Sequence, residues 1–236
     1  MKIAALILAA GQGTRMKSKL PKVLHLLAGK PLIQYSLDAA KEFGTHKPVV
    51  VIGHGAEAVR KVVGDQAECV IQEQQLGTAH AVMSAESALA GQVDLVVILN
   101  ADMPLLTAET FQRLVEMQKN NHGPISMLTV VSNDSHGFGR VIRNSNGSVK
   151  EIVEEAQATP EQLAIREYNV GNYCIQADWL WKALKQIKMS PKGEYYLTDL
   201  VGLASGAGLQ VNAVALEDPA DAIGINVPGL GVAVDE

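Results

Sequence analysis

The sequence predicts an α/β fold: a Rossmann-like, mixed but mostly parallel sheet with helices on both faces and a β-rich second part. Short apolar runs alternate with helical patterns up to Asn120, and this alternation is typical of a parallel sheet covered on both sides. A glycine-rich turn directly follows the first apolar run. From Ser126 onward, apolar runs separated by turn residues indicate a series of strands instead.

Each element follows from its local pattern, because compact aliphatic runs indicate buried strands and apolar residues three or four apart indicate helices. The first part has predicted strands at Lys2 to Leu8, Pro48 to Ile52, Cys69 to Ile71 and Asp94 to Leu99, and predicted helices at Pro31 to Phe43, Ala56 to Val63, Thr78 to Leu89 and Thr107 to Asn120. The second part has predicted strands at Met127 to Val131, Gly139 to Arg143, Val149 to Val153, Tyr168 to Ile175 and Val211 to Leu216, and predicted helices at Asp178 to Ile187 and Leu197 to Ser205. Thr78 and Thr107 are expected to cap the helices that they open.

The composition limits the class of protein. The chain has 236 residues, of which 47% are hydrophobic and 19% are charged; we expect one domain over residues 1–226 and an irregular tail over 227–236. The start of the chain leaves no room for a signal peptide, no apolar run could cross a bilayer, and Cys69 and Cys174 lack metal or redox spacing. The net charge of −5 argues against a nucleic-acid partner. We therefore predict a cytoplasmic protein without a membrane or nucleic-acid partner.

The turn after the first strand has the chemistry of a phosphate-binding loop. Gly11 and Gly13 allow backbone conformations in which successive N–H groups converge on anionic oxygens, and Arg15 and Lys22 add positive charge. The loop lacks the Gly-Lys-Ser/Thr ending of a Walker A motif and the third glycine of the dinucleotide fingerprint. An ordinary strand-to-helix turn with two solvated cations is the alternative interpretation.

A second candidate position is Asp102, which follows a very apolar predicted strand. Its carboxylate is expected at the carboxyl end of the sheet, where α/β proteins bind ligands. Mg²⁺ takes one or two protein carboxylates and completes its shell with phosphate and water oxygens, so Asp102 is a candidate ligand. An Asp that caps the following helix is the alternative. The six histidines show no shared metal-ligand spacing, and His80 is interpreted as structural.

These motifs together resemble a known family. Leu8 to Met16 followed by Pro21-Lys22 is similar to the signature of the sugar-phosphate nucleotidyltransferases. Four further segments agree in the same order: Gln72 to Ala81, Gly137 to Arg140, Glu194 to Asp199 and Gly224 to Asn226. The chain resembles, from about residue 3 to residue 226, the N-terminal uridylyltransferase domain of the bifunctional N-acetylglucosamine-1-phosphate uridylyltransferases.

The resemblance implies a reaction. UTP and N-acetylglucosamine 1-phosphate would be the substrates and Mg²⁺ the cofactor, and the products would be UDP-N-acetylglucosamine, a precursor of the cell wall, and pyrophosphate. The family's C-terminal left-handed β-helix acetyltransferase domain is absent from this sequence. The resemblance leaves a homo-oligomer open, above all if a C-terminal domain was removed. Two alternatives stay open: transfer to another sugar or polyol phosphate, the latter with CTP, and a domain that binds sugar nucleotides without catalysis.

The resemblance also assigns roles to residues of this chain. Arg15 and Lys22 are the candidate catalytic cations, and Asp102 and Asn226 the candidate metal ligands. The candidate nucleotide-binding residues are Leu8, Ala9, Ala10, Gly11, Gly13, Lys22, Gln72, Gly77 and Thr78. The candidate sugar-binding residues are Gly139, Glu154, Asn169 and Tyr196, although Glu154 judged alone reads as a solvated strand residue.

Uracil selection is expected to divide between a side chain and the backbone. The amide oxygen of Gln72 can accept from uracil N3–H, and backbone N–H groups of Ala9 to Gly11 can donate to the uracil carbonyls. Because a carboxamide can rotate to serve cytosine, we expect the backbone rather than Gln72 to enforce uracil.

Three stretches depart from the family pattern. Asn100-Ala101 precedes Asp102 where a glycine is usual before the aspartate, and the alanine is expected to crowd a backbone near the sugar. Glu155-Ala156 stands where a basic residue is usual. Val227-Pro228-Gly229 replaces the usual continuation after Asn226.

Overall fold

The protein was analysed as a computed structural model that describes residues 1–13, 16–135 and 137–225. Eleven strands lie within the described part of the chain. In chain order they are β1 (Ile3–Ala9), β2 (Leu26–Leu27), β3 (Lys30–Pro31), β4 (Val49–Ile52), β5 (Glu68–Ile71), β6 (Leu95–Asn100), β7 (Ile125–Val131), β8 (Arg140–Arg143), β9 (Val149–Val153), β10 (Glu167–Gln176) and β11 (Val211–Ala215).

Eight α-helices alternate with these strands in the same described ranges. They are α1 (Leu32–Phe43), α2 (Ala56–Val63), α3 (Thr78–Met83), α4 (Glu86–Leu89), α5 (Ala108–Lys119), α6 (Pro160–Leu163), α7 (Ala177–Leu184) and α8 (Asp199–Gly206). No helix in this part of the chain combines the length and hydropathy that a membrane crossing requires.

Burial on both faces explains why β1 is apolar at every position. Its alternate side chains enter two separate cores, Ala5 and Ile7 one core and Ala4 and Leu6 the other. Side chains of α1, α2 and α5 fill the first core, and those of α3, α4, α7 and α8 fill the second. A strand covered on both faces has no position that favours a polar side chain. The predicted fold class is confirmed.

Nine of the strands form one sheet whose main path runs β11-β7-β10-β6-β1-β4-β5. Strands β6, β1, β4 and β5 pair in parallel, and the register sets Leu8 of β1 opposite Asn100 of β6. The segments that follow these two strands therefore leave the sheet at the same edge, as predicted. Gln72 joins them there, because its N–H extends the β5 pairing with a bond to the Ile52 carbonyl, at 2.8 Å.

The second part reaches the same edge from the opposite direction. Strand β10 is antiparallel to both β6 and β7, so its first residues lie where β6 ends. A shift in register between Asn169 and Tyr173 places a bulge in β10 at this level, with Gly171 at φ +80°. Strands β8 and β9 form a hairpin that pairs with β10 through β8. Strand ends from both parts of the chain thus lie at the same edge of one sheet.

Most predicted elements are confirmed to within one or two residues, and three details differ. The predicted helix from Thr78 to Leu89 is two helices, because the backbone turns at Ser84 and Ala85. Thr107 caps α5, but the expectation of a Thr78 cap is wrong: Gly77 occupies the N-cap position of α3 without a side-chain bond. The small β2–β3 hairpin and the short helix α6 were not predicted from the sequence.

Candidate active site

A cavity of about 490 Å³ opens where β1, β5 and β6 end. It contains every candidate nucleotide-binding residue and the candidate metal ligand Asp102. Its lining residues are Leu8, Ala9, Ala10, Gly11, Gln12, Gly13, Lys22, Val23, Gln72, Gln75, Gly77, Thr78, Ala81, Asn100, Asp102 and Glu194. Residues that are distant in the sequence therefore converge as predicted, and we call this space the first cavity.

The glycine-rich loop lines the first cavity with backbone donors that lack a partner among the described residues. Within the part of the chain that the structure describes, the N–H groups of Gly11 and Gly13 have no acceptor. Gly13 has φ +59°, and a Cβ there would lie 2.7 Å from Cβ of Lys22, so glycine permits the approach of that lysine. Open space surrounds the position of a Cβ on Gly11. The candidate cation Arg15 lies outside the described residues.

Lys22 and Asp102 meet across the cavity. The Nζ of Lys22 donates to Oδ2 of Asp102 in a partly buried ion pair, although the two residues are 80 positions apart. Asp102 does not serve as the helix cap that was its alternative role, because Thr107 caps α5. A cation, a carboxylate and unpaired loop N–H groups are the kinds of group that could hold a polyphosphate and its counter-ion.

The donor set around Asp102 fits Mg²⁺. Among the described residues, no three His, Cys, Asp or Glu side chains gather into an all-protein metal cage. Mg²⁺ does not require one, since it usually keeps water and substrate phosphate oxygens as most of its ligands. The N–H of Ile225 donates to the Asp102 carbonyl at 2.9 Å, and so the end of the described chain lies at this position. The second candidate ligand, Asn226, lies outside the described residues.

Gln72 lies at the base of the first cavity with its side chain almost fully enclosed, at 3% exposure. Its Nε2 donates to the Gly77 carbonyl at 3.1 Å and lies 3.1 Å from Nδ1 of His80. Both partners act on the same end of the amide. Rotation of this carboxamide to serve cytosine would break the bond to the Gly77 carbonyl.

Gly77 and Thr78 line the first cavity and also contact the segment before α8. Gly77 has φ +97°, and a Cβ there would lie 2.6 Å from the backbone oxygen of Tyr195. The hydroxyl of Thr78 accepts from the N–H of Leu197 at 3.0 Å, and Ala79 N donates to the Tyr195 carbonyl. The backbone that approaches Gly77 closely thus belongs to the protein itself, and the residue also lines the first cavity.

A second cavity of about 410 Å³ adjoins the first and shares Glu194 with it. Its lining residues are Gly137, Glu154, Glu155, Ala156, Gln157, Lys192, Glu194 and Tyr196. Two candidate sugar-binding residues, Glu154 and Tyr196, are among them. Oε1 of Glu154 accepts from the Thr198 hydroxyl at 2.9 Å, which fixes the carboxylate at the start of α8. Burial, followed by the nearby Glu194 and Glu154 carboxylates, raises the pKa of Tyr196.

Gly139 and Asn169 do not line either cavity. The Gly139 carbonyl accepts from the N–H of Asn169 at 2.9 Å, and a Cβ on Gly139 would lie 3.7 Å from the carboxyl carbon of Glu154. The Asn169 amide is buried and bonded at both ends, to the Tyr173 hydroxyl at 2.8 Å and to Gly171 N at 3.1 Å. The structure therefore brings the candidate sugar residues together, with Asn169 in the bulge of β10.

Two of the three departures from the family pattern, Asn100-Ala101 and Glu155-Ala156, have local explanations, whereas Val227-Pro228-Gly229 and the predicted tail over 227–236 lie outside the described residues. Ala101 is buried in the core, and its methyl group does not line either cavity, so the expectation that it crowds the site is wrong. Asn100 does line the first cavity, and its side chain donates to the Gly171 carbonyl at 3.0 Å. Glu155 accepts from the guanidinium of Arg140 at 2.6 Å and from Ser135 at 2.9 Å, and these bonds lower its pKa.

The two cavities are also lined by residues to which the sequence interpretation gave no binding role, among them Gln75, Asn100, Glu194 and Lys192. Gln75 lines the first cavity beside Gln72 and donates to the Gln72 carbonyl at 3.2 Å. Asn100 and Glu194 line it as well, and Lys192 contributes a cation to the second cavity. Gln75 and Glu194 stand within the segments that carry the family resemblance, so those motifs contained a usable signal. Lys192 lies in a turn whose pattern gives none.

Comparison with known proteins agrees with this site. A family described as MobA-like NTP transferase domain matches residues 5–187. "Bifunctional protein GlmU" from Pelotomaculum thermopropionicum is 46% identical over 227 residues, which are 96% of this chain and 50% of that protein. The protein of the same name from Lactobacillus delbrueckii subsp. bulgaricus is 43% identical over 221 residues, 93% of this chain and 48% of that protein. The chain thus spans about half the length of these relatives.

A solved structure shows the same fold at low sequence identity. A CMP:2-keto-3-deoxy-manno-octonic acid synthetase complexed with CTP superposes with a TM-score of 0.71 and 18% identity, covering 97% of this chain and 94% of that chain. The resemblance to the uridylyltransferase domain of bifunctional relatives is confirmed by the GlmU matches. Because the family match extends over most of the sequence, the chain belongs to the MobA-like NTP transferase domain family.

Proposed function

We propose that this chain transfers UMP from UTP to N-acetylglucosamine 1-phosphate, giving UDP-N-acetylglucosamine and pyrophosphate. The observation that carries the proposal is the Lys22–Asp102 pair, set against the unpaired N–H groups of the glycine-rich loop in a cavity that adjoins a second one. UTP would occupy the first cavity and the sugar phosphate the second. The GlmU relatives support this choice of substrates.

The reaction is an in-line displacement. A phosphate oxygen of the sugar phosphate forms a bond to the α-phosphorus of UTP, the bond from that phosphorus to the bridging oxygen breaks, and pyrophosphate leaves with the electron pair. Because the attacking oxygen is already an anion, the reaction needs no general base. The protein has to align two anions and neutralise the charge that develops on them.

Residues at the first cavity would do this work. The loop N–H groups, Lys22 and, as a prediction, Arg15 would hold the triphosphate. Mg²⁺ at Asp102, with Asn226 as a predicted second ligand, would neutralise charge on the α-phosphate and the leaving pyrophosphate.

Base and sugar recognition follow from the remaining side chains. Gln72 would accept from uracil N3–H, and the backbone of Ala9 to Gly11 would donate to the uracil carbonyls. Glu154 and Tyr196 would contact the sugar hydroxyls, with Gly139 and Asn169 supporting them. A cytoplasmic location and a homo-oligomer stay predictions.

Pyrophosphate release tests the proposal. Purified protein would be assayed with each of the four nucleoside triphosphates against several hexose, hexosamine and polyol phosphates, with Mg²⁺ present or removed by a chelator. We expect UTP with N-acetylglucosamine 1-phosphate to give the highest kcat/KM and the chelator to abolish turnover. A strict preference for CTP, or no turnover of UTP, would overturn the proposal.

A further inference from the structure

The hydrogen bonds around Gln72 fix which end of its carboxamide faces the first cavity. A backbone carbonyl can only accept, so the Gly77 oxygen must face the NH₂ end of the amide. The second contact of that nitrogen is Nδ1 of His80, at 3.1 Å. With the NH₂ group held on this side, Oε1 is the amide atom left to act as an acceptor toward a ligand in the cavity that Gln72 lines.

His80 contacts Gln72 but does not line the first cavity. It lies on α3, and its ring stacks on Tyr195, with the ring centroids 6.4 Å apart and the planes inclined by 24°. Because the amide nitrogen is a donor, the contact with Gln72 requires Nδ1 of His80 to be the unprotonated, accepting nitrogen. Any effect of His80 on a bound base would therefore pass through Gln72.

We propose that His80 is a positioning residue for uracil selection: together with the Gly77 carbonyl it locks the Gln72 carboxamide with Oε1 directed at the base. The inference rests on the proposed function and deepens it. Uracil presents N3–H as a donor to Oε1, whereas N3 of cytosine is an acceptor and would face a second acceptor. The locked amide thus excludes cytosine by an unfavourable contact, in addition to any selection by the loop backbone.

Rotation of the amide is the way in which cytosine could be admitted. A rotated Gln72 would present NH₂ to cytosine N3, but it would set Oε1 against the Gly77 carbonyl and would require His80 to change tautomer and carry its proton on Nδ1. Removal of the His80 acceptor eliminates one of these two restraints. Since one neutral hydrogen bond contributes about 1 kcal/mol, we expect the preference for UTP over CTP to fall about fivefold.

The test compares UTP with CTP in variants of His80. His80→Phe keeps an aromatic ring beside Tyr195 but lacks the acceptor, and His80→Leu removes both. His80→Asn places an amide oxygen close to the position of Nδ1 and is the rescue variant, and His122→Leu, at an exposed histidine, is the control. Both the ratio of kcat/KM values and the ratio of equilibrium Kd values for UTP and CTP would be measured, with thermal melting to verify folding.

We expect His80→Phe and His80→Leu to lower the UTP/CTP ratio about fivefold, and His80→Asn and His122→Leu to keep it near the wild-type value. A structural role alone would reduce binding and turnover of both nucleotides by the same factor and leave the ratio unchanged, and this result would overturn the inference. The Kd ratio does not depend on catalysis. A wild-type protein without UTP turnover would therefore refute the proposed function and still allow the role of His80 to be judged.

Discussion

The nucleotide side and the sugar side of the site are built in different ways. On the nucleotide side, parallel strands buried on both faces end together, and the site consists largely of backbone and of side chains within two or three residues of a strand end. On the sugar side, an antiparallel hairpin and the bulged strand β10 supply side chains that distant residues hold in place, as Thr198 holds Glu154 and Asn100 contacts Gly171.

This difference determines how each side responds to mutation. A backbone cradle tolerates the loss of most single side chains, and so its sensitive points are the few charges that would face the phosphates in the proposed function. The sugar side depends on buried polar contacts, and the loss of one partner leaves the other unsatisfied. Four substitutions test this contrast, in order of decreasing expected free-energy change.

The largest effect is expected at Lys22 on the nucleotide side. Lys22→Ala removes a preorganised charge from the first cavity, and turnover should fall on the order of a hundredfold or more, which corresponds to about 3 kcal/mol. Stability should change far less, because Lys22 lines the first cavity and belongs to neither apolar core. Steady-state kinetics and urea unfolding would measure both quantities, with Lys19→Ala, at an exposed lysine nearby, as the control. A purified Lys22→Ala protein with wild-type activity would refute the assignment.

The next effect is expected at Asn172, which joins the two sides. This fully buried residue accepts from Asn100 N at 3.0 Å and donates to the Val170 carbonyl at 3.2 Å. Asn172→Ala leaves the partly buried Asn100 N–H without that acceptor, and the free energy of unfolding should fall by about 2 kcal/mol. The exposed turn residue Asn144 offers the control variant Asn144→Ala. Equal unfolding curves for both proteins would show that this contact does not stabilise the junction.

A substitution of Glu154 tests whether the sugar phosphate and the nucleotide bind in separate cavities. Glu154→Gln keeps the shape of the side chain but removes the charge that strengthens hydrogen bonds to sugar hydroxyls, so KM for the sugar phosphate should rise about tenfold. KM for UTP should stay unchanged, because Glu154 lines only the second cavity. Glu151→Gln, on strand β9 just before Glu154, is the control. A change of equal size in both KM values would mean that the two cavities do not bind separate substrates.

The smallest effect is expected at Glu155. The Arg140 guanidinium and the Ser135 hydroxyl lower the pKa of Glu155, so its contribution to stability is present above the unfolded-state pKa and is lost as the pH falls through the folded-state value. The side chain is 43% exposed, and we expect Glu155→Gln to cost less than about 1 kcal/mol at pH 7.

Urea unfolding between pH 7 and about pH 3 would measure this dependence. The difference between wild type and Glu155→Gln should shrink on acidification. A difference that stays constant over this range would contradict the ion pair as its source.

The same contrast explains what the sequence could predict. The strands, the convergence of Lys22 with Asp102 and the cavity at the end of β1 followed from local patterns and motifs. The expectations that failed concern side chains whose contacts are with residues distant in the sequence. The hydroxyl of Thr78 bonds to Leu197 instead of capping α3, and the methyl of Ala101 packs in the core instead of crowding the site. The orientation of the Gln72 carboxamide could not be predicted from its motif, because it depends on which acceptors surround the amide in the folded protein.

The exchange of labelled pyrophosphate tests the central claim most directly, that the two adjoining cavities perform one nucleotidyl transfer. The protein would be incubated with UDP-N-acetylglucosamine, labelled pyrophosphate and Mg²⁺, and UTP would be analysed for label. We predict that label enters UTP in the wild-type protein and that Lys22→Ala or a chelator suppresses it. Binding of UDP-N-acetylglucosamine without any exchange would contradict the account and show a domain that only binds the sugar nucleotide.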